Sequence, residues 1–338
     1  MAPVVVALPA FLISLAITLS AAERFAERLD RLGTRYGLSE ALVGLLTALA
    51  ADGPEISSAL VALAKGAHAT SVGVLVGSNV FNLAAMIGVS ALVAGSVHLP
   101  RASLALEGSA GLAITLIGAA VLLALVTPAL GAVLAVIVLA PYLLVVVGGS
   151  RPLARVNARL RLRGRAVAIV SSALEERRRV PALRAVAAAR PRREIMLIVG
   201  EVVLIIVGSF GMVEGALSLG DRWGISGALI GVLILAPLTS IPNAATAIRL
   251  GRQDRGSALL TEALNSNTIN LVVGVVLPAI LVGITSLGTT GRVNVAWMIG
   301  MTVISLALLA GRRGVGRLGA ALLIALYAGF VVTQLVMS

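Results

Sequence analysis

The chain has 338 residues, of which 59% are hydrophobic and 12% charged, and its formal net charge is +12 at neutral pH. This composition excludes a soluble globular protein of this size, because too few polar side chains remain to cover its surface. Cysteine is absent, so disulfides and thiolate metal sites are excluded as well. We therefore expect an all-α polytopic protein of a cell membrane.

Ten segments are apolar and long enough to cross a bilayer, which takes about 20 residues. They form a group of five, a long polar interruption and a second group of five. The first segment resembles a signal peptide, but it lacks a basic amino-terminal region, so we interpret it as a retained helix. The predicted spans are 3–22, 39–64, 70–95, 103–126, 128–148, 194–218, 225–250, 256–285, 293–311 and 316–337.

The interruption between the two groups, residues 149–193, contains thirteen arginines. Positively charged connections favour the cytoplasmic side, so we predict a cytoplasmic loop and place both chain termini outside. On this topology, 24 of the 27 Lys and Arg residues lie on the cytoplasmic side. The loop has helix-like apolar spacing, which predicts contact with anionic lipid headgroups. It has no aromatic residues for base stacking, so we expect no nucleic-acid partner, and the compact chain favours a prokaryotic inner membrane.

The two groups of spans contain an internal repeat. Residues 35–46 read RYGLSEALVGLL, and residues 222–233 read RWGISGALIGVL. Further on, Pro54 aligns with Pro242, and the stretch GSNVFN (77–82) aligns with NSNTIN (265–270) without a gap between the prolines and these motifs. Self-similarity of this kind indicates two copies of one structural unit.

Five is an odd number of spans, so the two copies must lie in opposite orientations in the bilayer. We therefore predict three parts: a first five-helix repeat (1–148), a basic loop (149–193) and a second five-helix repeat (194–338). Inverted repeats with helices broken near the midplane are typical of secondary transporters, in which the ion site lies between the repeats.

Each repeat has a proline beside a polar side chain within an apolar segment. Pro54 and Pro242 lack the N–H group that would continue a helical hydrogen-bond ladder, so each frees backbone carbonyls. A simple proline kink is the alternative, but the equivalent positions of the two prolines favour a cation site. The nearby polar residues offer oxygen ligands, which suit hard cations such as Ca²⁺ and Na⁺: Asp52, Glu55, Ser78, Asn79 and Asn82, then Thr239, Ser240, Asn243, Ser266, Asn267 and Asn270.

With the paired PE/PN and GSNVFN/NSNTIN motifs, the chain resembles the cation/Ca²⁺ exchanger superfamily. This resemblance implies a ten-helix antiporter in which acidic residues after the two prolines bind Ca²⁺ and Na⁺ alternately. It implies ligand roles at the matching positions of this sequence, which are Glu55, Ser78, Asn82, Thr239, Ser240, Asn243, Ser266 and Asn270.

The sequence departs from the family pattern at its acidic positions. Such exchangers usually carry a GTSxPE-like stretch in both repeats, whereas here the first has ADGPE and the second has TSIPN. Asn270 also replaces an acid of some sodium-coupled members. If Asp52 faces the site, its charge with Glu55 is −2, which matches one Ca²⁺ or two monovalent ions. If Asp52 points away, the charge is −1 and a monovalent ion or a proton is favoured. We expect the first arrangement, in which Asp52 compensates for the acid lost at Asn243.

These features predict a secondary active antiporter that exchanges Ca²⁺ or a related cation for Na⁺ or H⁺ by alternating access. Two carboxylates this close also invite proton coupling. A cation channel and a non-transporting sensor or scaffold of the same fold remain open as alternatives. We expect no enzyme activity and no cofactor, since the sequence has no P-loop, catalytic triad or metal-hydrolase histidine pair.

Four other acidic residues are weaker candidates for a role at the site. Glu262 lies inside the eighth predicted span and is a candidate ion relay or a buried partner of Arg249 or Arg255. We expect solvent to surround the other three, which lie near predicted helix ends: Glu107, Glu201 and Glu214.

Overall fold

The computed structural model describes residues 4–36, 40–148, 191–283, 287–311 and 314–337. The predicted basic loop therefore lies outside the described residues, apart from its last three positions, which begin a helix. The first repeat contains α1 (Val4–Arg35), α2 (Glu40–Ala51), α3 (Gly53–Ala64), α4 (His68–Ala94), α5 (Arg101–Leu122) and α6 (Pro128–Gly148). The second contains α7 (Pro191–Trp223), α8 (Gly227–Thr239), α9 (Ile241–Arg252), α10 (Gly256–Val282), α11 (Thr289–Ala310) and α12 (Arg317–Val336).

Helices occupy all ten predicted spans, and the protein is a multi-pass membrane protein. Among the described residues, seven helices are long and apolar enough to cross a bilayer, or nine if each of two bent pairs is counted as one span. The predicted fifth span corresponds to α6. Helix α1 was predicted to end at residue 22, but it continues to Arg35 through a polar, helix-favouring segment.

The predicted spans 39–64 and 225–250 are each two helices rather than one. Helices α2 and α3 meet at an angle of 51°, and α8 and α9 meet at 43°. The first break lies at Asp52 and the second at Ser240, and in each case a proline occupies the second position of the helix that follows. Proline removes a backbone donor there and fits the first turn of a helix, so the chain ends one helix and begins another. The two breaks confirm the register of the repeat.

Opposite orientations of the two repeats follow from two helix pairs. Gly208 of α7 packs on Thr18 of α1, and Gly215 packs on Phe11. Residue numbers along α1 therefore decrease as those along α7 increase. The first helices of the two repeats are therefore antiparallel. The third helices, α4 and α10, are antiparallel as well, since Asn82 bonds to Ser266 and Asn79 to Asn270. The all-α fold of two inverted five-helix repeats is confirmed.

Helix α4 crosses α8 at glycine residues. A Cβ atom on Gly73 would lie 2.9 Å from the carbonyl oxygen of Ala228, and one on Gly231 would lie 3.0 Å from the Cα of Gly73. A Cβ on Gly77 would lie 2.8 Å from that of Ala236. Such separations leave no room for side chains, so glycine permits the backbones of the two repeats to approach closely.

Ion pairs connect α7 to the first repeat. Arg28 donates to Glu201 at 2.6 Å and to Glu194 at 3.0 Å. Lys65, just after α3, pairs with Glu214 and lies 4.1 Å from the centre of the Phe210 ring. The prediction that Glu201 is solvated is therefore wrong, because this residue is 5% exposed and lies within α7, opposite a basic side chain.

Two further observations differ from the predictions. Glu107 was also expected in solvent, yet it is 2% exposed within α5. The structure also adds a short antiparallel β-ribbon to the all-α fold, in which β1 (Ser96–Val97) pairs with β2 (Val315–Gly316). The ribbon joins the connection after α4 to the connection before α12, and so links the third and fourth helices of the first repeat to the last two of the second.

Candidate cation-binding site

The two helix breaks bring the carboxylates of the first repeat to the centre of the protein. Asp52 lies between α2 and α3, and Glu55 lies in the first turn of α3. Both residues are fully buried, at 0% exposure. Peptide dipoles at a helix amino terminus favour negative charge, which lowers the cost of placing Glu55 there. The remaining stabilisation must come from groups facing α3.

Asp52 points towards the second repeat. Its Oδ1 atom accepts hydrogen bonds from Asn243 Nδ2 at 2.8 Å and from Ser266 Oγ at 2.6 Å. Asn243 belongs to the first turn of α9, and Ser266 belongs to α10. The expectation that Asp52 faces the predicted site therefore agrees with the geometry.

Glu55 bonds to the same part of the second repeat. Its Oε1 atom accepts hydrogen bonds from Ser240 Oγ and, at 3.3 Å, from Asn243 Nδ2. Its Oε2 atom accepts from Asn270 Nδ2 at 2.6 Å. One amide group, that of Asn243, thus contacts both carboxylates. Among the described residues, the hydrogen bonds to these two carboxylate groups all come from the second repeat.

Asparagine pairs surround this centre on α4 and α10. Asn82 Nδ2 donates to Ser266 Oγ at 3.1 Å. Asn79 and Asn267 exchange hydrogen bonds, since each side-chain amide donates to the backbone carbonyl of the other, at 3.5 and 3.1 Å. These residues are 188 positions apart, which is also the offset between the two prolines. Their exchange therefore lies on the pseudo-two-fold axis between the repeats.

Several buried oxygen atoms of the predicted ligand residues have no hydrogen-bond partner among the described residues. Burial without a partner is unfavourable for a polar atom, and groups of such atoms in a native protein call for an explanation. All five of the following belong to the predicted ligand set: Asp52 Oδ2, Ser78 Oγ, Asn82 Oδ1, Asn243 Oδ1 and Asn270 Oδ1. Carboxylate, amide and hydroxyl oxygens are the ligands of hard cations, so the donor set fits Ca²⁺ or Na⁺.

The nine predicted ligand residues separate into a connected group and two others. Ser78 is buried, but no hydrogen bond links it to either carboxylate. Thr239 is also buried, and its hydroxyl donates within its own helix to Leu235 O at 2.8 Å. The other seven form one hydrogen-bonded network: Asp52, Glu55, Asn82, Ser240, Asn243, Ser266 and Asn270.

Asn79 and Asn267 belong to the predicted set of oxygen donors but not to the ligand positions that the family resemblance implies. Their mutual contact could have been anticipated, because two equivalent residues that contact each other must lie on the symmetry axis between the repeats. A second contact, 2.5 Å between the hydroxyls of Ser57 and Ser209, had no signal in the sequence, since it joins α3 to a position 152 residues away.

The site differs from a transition-metal centre. In the described part of the chain, no three His, Cys, Asp or Glu residues come together as a metal cluster. The centre instead has two carboxylates, with a formal charge of −2 when both are ionised, surrounded by neutral amides and hydroxyls. Such a centre can balance one divalent cation or two monovalent ones.

The sequence model of the family described as sodium/calcium exchanger protein matches residues 6–148 and 194–336, which is most of the chain. The chain belongs to this family. Both five-helix repeats are matched, and the unmatched interval corresponds to the basic loop.

Individual relatives agree with this assignment. The human sodium/potassium/calcium exchanger 2 is 35% identical over 82 residues, which is 24% of this chain and 12% of the relative. The bovine sodium/potassium/calcium exchanger 1 is 32% identical over 87 residues, or 26% of this chain and 7% of the relative. The matches thus span a small part of the relatives' length.

Solved structures share the fold over nearly the whole chain. The H⁺/Ca²⁺ exchanger CAX has a TM-score of 0.71 at 18% identity, covering 97% of this chain and 86% of that one. The sodium-calcium exchanger NCX_Mj has a TM-score of 0.61 at 17% identity, covering 98% and 99%. At these identities the likeness establishes the fold alone.

Proposed function

We propose that this exchanger-family protein is a secondary active antiporter that moves Ca²⁺ or a related divalent cation against Na⁺ or H⁺. The observation that carries the proposal is the buried pair Asp52 and Glu55, whose carboxylate groups accept hydrogen bonds from the second repeat. Within the described chain, one oxygen of Asp52 and four oxygens of other predicted ligand residues have no hydrogen-bond partner. The relatives are sodium/potassium/calcium exchangers, and the structural neighbours include an H⁺/Ca²⁺ and a sodium-calcium exchanger.

Charge supports a divalent substrate. A divalent ion removed from water is compensated by two carboxylates, whereas one carboxylate would leave it under-compensated. Ca²⁺ takes about 6–8 oxygen ligands in flexible geometry, and the buried carboxylates, amides and hydroxyls offer oxygens of this type. Ligand roles are proposed for all nine predicted residues, with Ser78 and Thr239 reaching the ion after rotation of their side chains.

The charge of −2 on Asp52 and Glu55 also explains why one cation must be exchanged for others. When the divalent ion leaves, a centre of charge −2 remains within a low-dielectric interior, and that state is unfavourable until monovalent cations or protons neutralise it. The two classes of ion therefore compete for the same carboxylates. Mutually exclusive occupancy couples their movements in opposite directions, provided that the site opens to one side at a time.

The test is gradient-driven ⁴⁵Ca²⁺ uptake by the purified full-length protein in proteoliposomes. We expect uptake with an outward Na⁺ gradient or an outward H⁺ gradient, none without a gradient, and loss of uptake in Glu55→Gln. Asp254→Asn is the matched control, because it removes an exposed carboxylate that is not part of the hydrogen-bonded network.

Other results would contradict the proposal in distinguishable ways. Flux that ignores an opposing gradient would indicate a channel. Gradient-driven transport of monovalent ions without calcium movement would reject the divalent substrate. A silent Glu55→Gln variant would favour a sensor or scaffold. Cytoplasmic placement of residues 149–193, their contact with anionic headgroups and a prokaryotic inner membrane stay predictions.

A further inference from the structure

A third acidic residue lies one helical turn from the site. Glu262 precedes Ser266 by four positions on α10 and is the single acidic residue of that helix. Residues four apart lie on the same face of a helix, with Cβ atoms about 5–6 Å apart. Ser266 in turn donates to Asp52 at 2.6 Å. Glu262 therefore lies next to the site, on the side towards the amino terminus of α10.

Glu262 differs from the two site carboxylates in its access to the surface. It is half-buried, whereas Asp52 and Glu55 are fully enclosed. Arg249 lies in the last turn of α9, and Arg255 immediately precedes α10, the helix that carries Glu262. Within the part of the chain that the structure describes, however, no ion pair joins Glu262 to a basic side chain. Glu262 is thus partly exposed and has no ion-pair partner in the described chain.

We propose that Glu262 is an access-path carboxylate that receives a cation from the aqueous phase at one membrane face and passes it to Asp52. This inference rests on the proposed transport function. A cation approaching this face meets Arg249 and Arg255, which repel it, and Glu262 offsets that repulsion next to the site. A negative side chain lining a path through a low-dielectric wall raises the local concentration of cations and their rate of entry.

The opposite face has no equivalent carboxylate in the first repeat. The residue of α4 at the same offset is Val74, which is fully buried. Val74 lies against the glycine crossing of α4 and α8, since a Cβ on Gly231 would come within 3.0 Å of the Val74 backbone nitrogen. The path that Glu262 lines therefore has no equivalent in the first repeat. Removing the Glu262 carboxylate thus affects cation entry from one side.

The alternative role for Glu262 is structural, as a charge partner that holds Arg249 and Arg255 in place. A structural role would change folding, or transport from both sides equally. A ligand role would change equilibrium binding. An access-path role changes the rate of entry from one side while leaving the affinity of the site intact, and these three roles can therefore be separated.

The experiment compares the initial ⁴⁵Ca²⁺ uptake rate, at concentrations well below saturation, in right-side-out and inside-out membrane vesicles carrying the full chain. For Glu262→Gln we expect a roughly tenfold lower rate from one side, in the range of electrostatic effects on association, and an unchanged rate from the other. Equilibrium Ca²⁺ binding to the detergent-purified protein should not change. Glu262→Asp should recover most of the rate.

Asp254→Asn is the matched control, because it removes the same charge near the same arginines from an exposed position. A similar loss in this control would indicate a general surface-charge effect and overturn the proposal. Equal losses from both sides, a loss of equilibrium binding, or no change in Glu262→Gln would each overturn it as well. If the unaltered protein shows no gradient-driven uptake, the proposed function itself fails, and the inference falls with it.

Discussion

The first repeat brings both carboxylates to the site, whereas the second brings the amides and hydroxyls that bond to them. At the position equivalent to Glu55 the second repeat has Asn243, and at the position equivalent to Asp52 it has Ser240. The backbones nevertheless break at equivalent residues in both repeats. Backbone geometry and charge are therefore separable in this architecture, since the broken helix persists where the acid is absent.

The helix crossings of the two repeats are unequal in the same way. Helix α4 meets α8 through Gly73 and Gly77, in direct backbone contact. In α10 the position equivalent to Gly77 is Asn265, whose Oδ1 accepts a hydrogen bond from Tyr142 at 2.6 Å. The α4–α8 crossing is closed by the absence of side chains, whereas the α6–α10 crossing contains a hydrogen-bonded polar side chain.

The largest expected effect comes from removing one charge of the first repeat. Glu55→Gln leaves a centre of charge −1, and loss of one member of a buried charged set costs roughly 3 kcal/mol, or about a hundredfold in transport rate at low Ca²⁺. The rate of ⁴⁵Ca²⁺ uptake in proteoliposomes measures this loss. A variant that keeps normal uptake would show that charge in the first repeat is not required.

A charge swap sharpens the comparison. In the double variant Glu55→Asn with Asn243→Glu, total charge and side-chain volume are conserved while one acid moves to the second repeat. We expect uptake about tenfold above that of Glu55→Gln, because the site again balances a divalent ion. A double variant no better than Glu55→Gln would indicate that the placement of charge matters as much as its amount.

The glycine crossing predicts an effect on stability, smaller than the effect of Glu55→Gln on transport. A Cβ on Gly231 would come within 3.0 Å of the Cα of Gly73, so Gly231→Ala should overpack the crossing and destabilise the protein by about 2 kcal/mol. Thermal unfolding in detergent measures the change. Gly200→Ala is the control, since nothing lies within 4 Å of a Cβ there. Equal melting temperatures for the two variants would contradict the close approach.

The smallest effect is expected at the polar crossing. Tyr142→Phe removes the hydrogen bond to Asn265, and we expect a loss of about 1 kcal/mol in the free energy of unfolding. The same unfolding measurement detects it, with Tyr36→Phe, an exposed position, as the control. A loss as large as that of Gly231→Ala would remove the distinction between the two crossings.

Sequence patterns were sufficient to predict the helices and their breaks, because both depend on residues that are close together in the chain. Apolar length predicted the spans, and the two prolines predicted where helices break. The side-chain direction of Asp52 could not be deduced, because it depends on Asn243 and Ser266, which lie about two hundred positions away. The repeat thus predicted which polar residues would come together, whereas their hydrogen-bonding pattern could not be predicted.

Long-range partners explain the remaining differences. Glu201 looked like a solvated residue near a helix end, yet Arg28 pairs with it across 173 positions. The β-ribbon was likewise missed, because two residues on each side carry too little β-pattern to be recognised. Such contacts arise when the repeats pack together, and no local property of either segment encodes them.

The exchange of hydrogen bonds between Asn79 and Asn267 has a mechanical consequence. If the two repeats trade conformations during transport, each residue takes over the surroundings of its equivalent in the other repeat. Contacts between non-equivalent residues then break and re-form elsewhere, but a contact between equivalent residues is mapped onto itself. Under such an exchange of conformations, the two asparagines would stay hydrogen-bonded to each other while the contacts around them change.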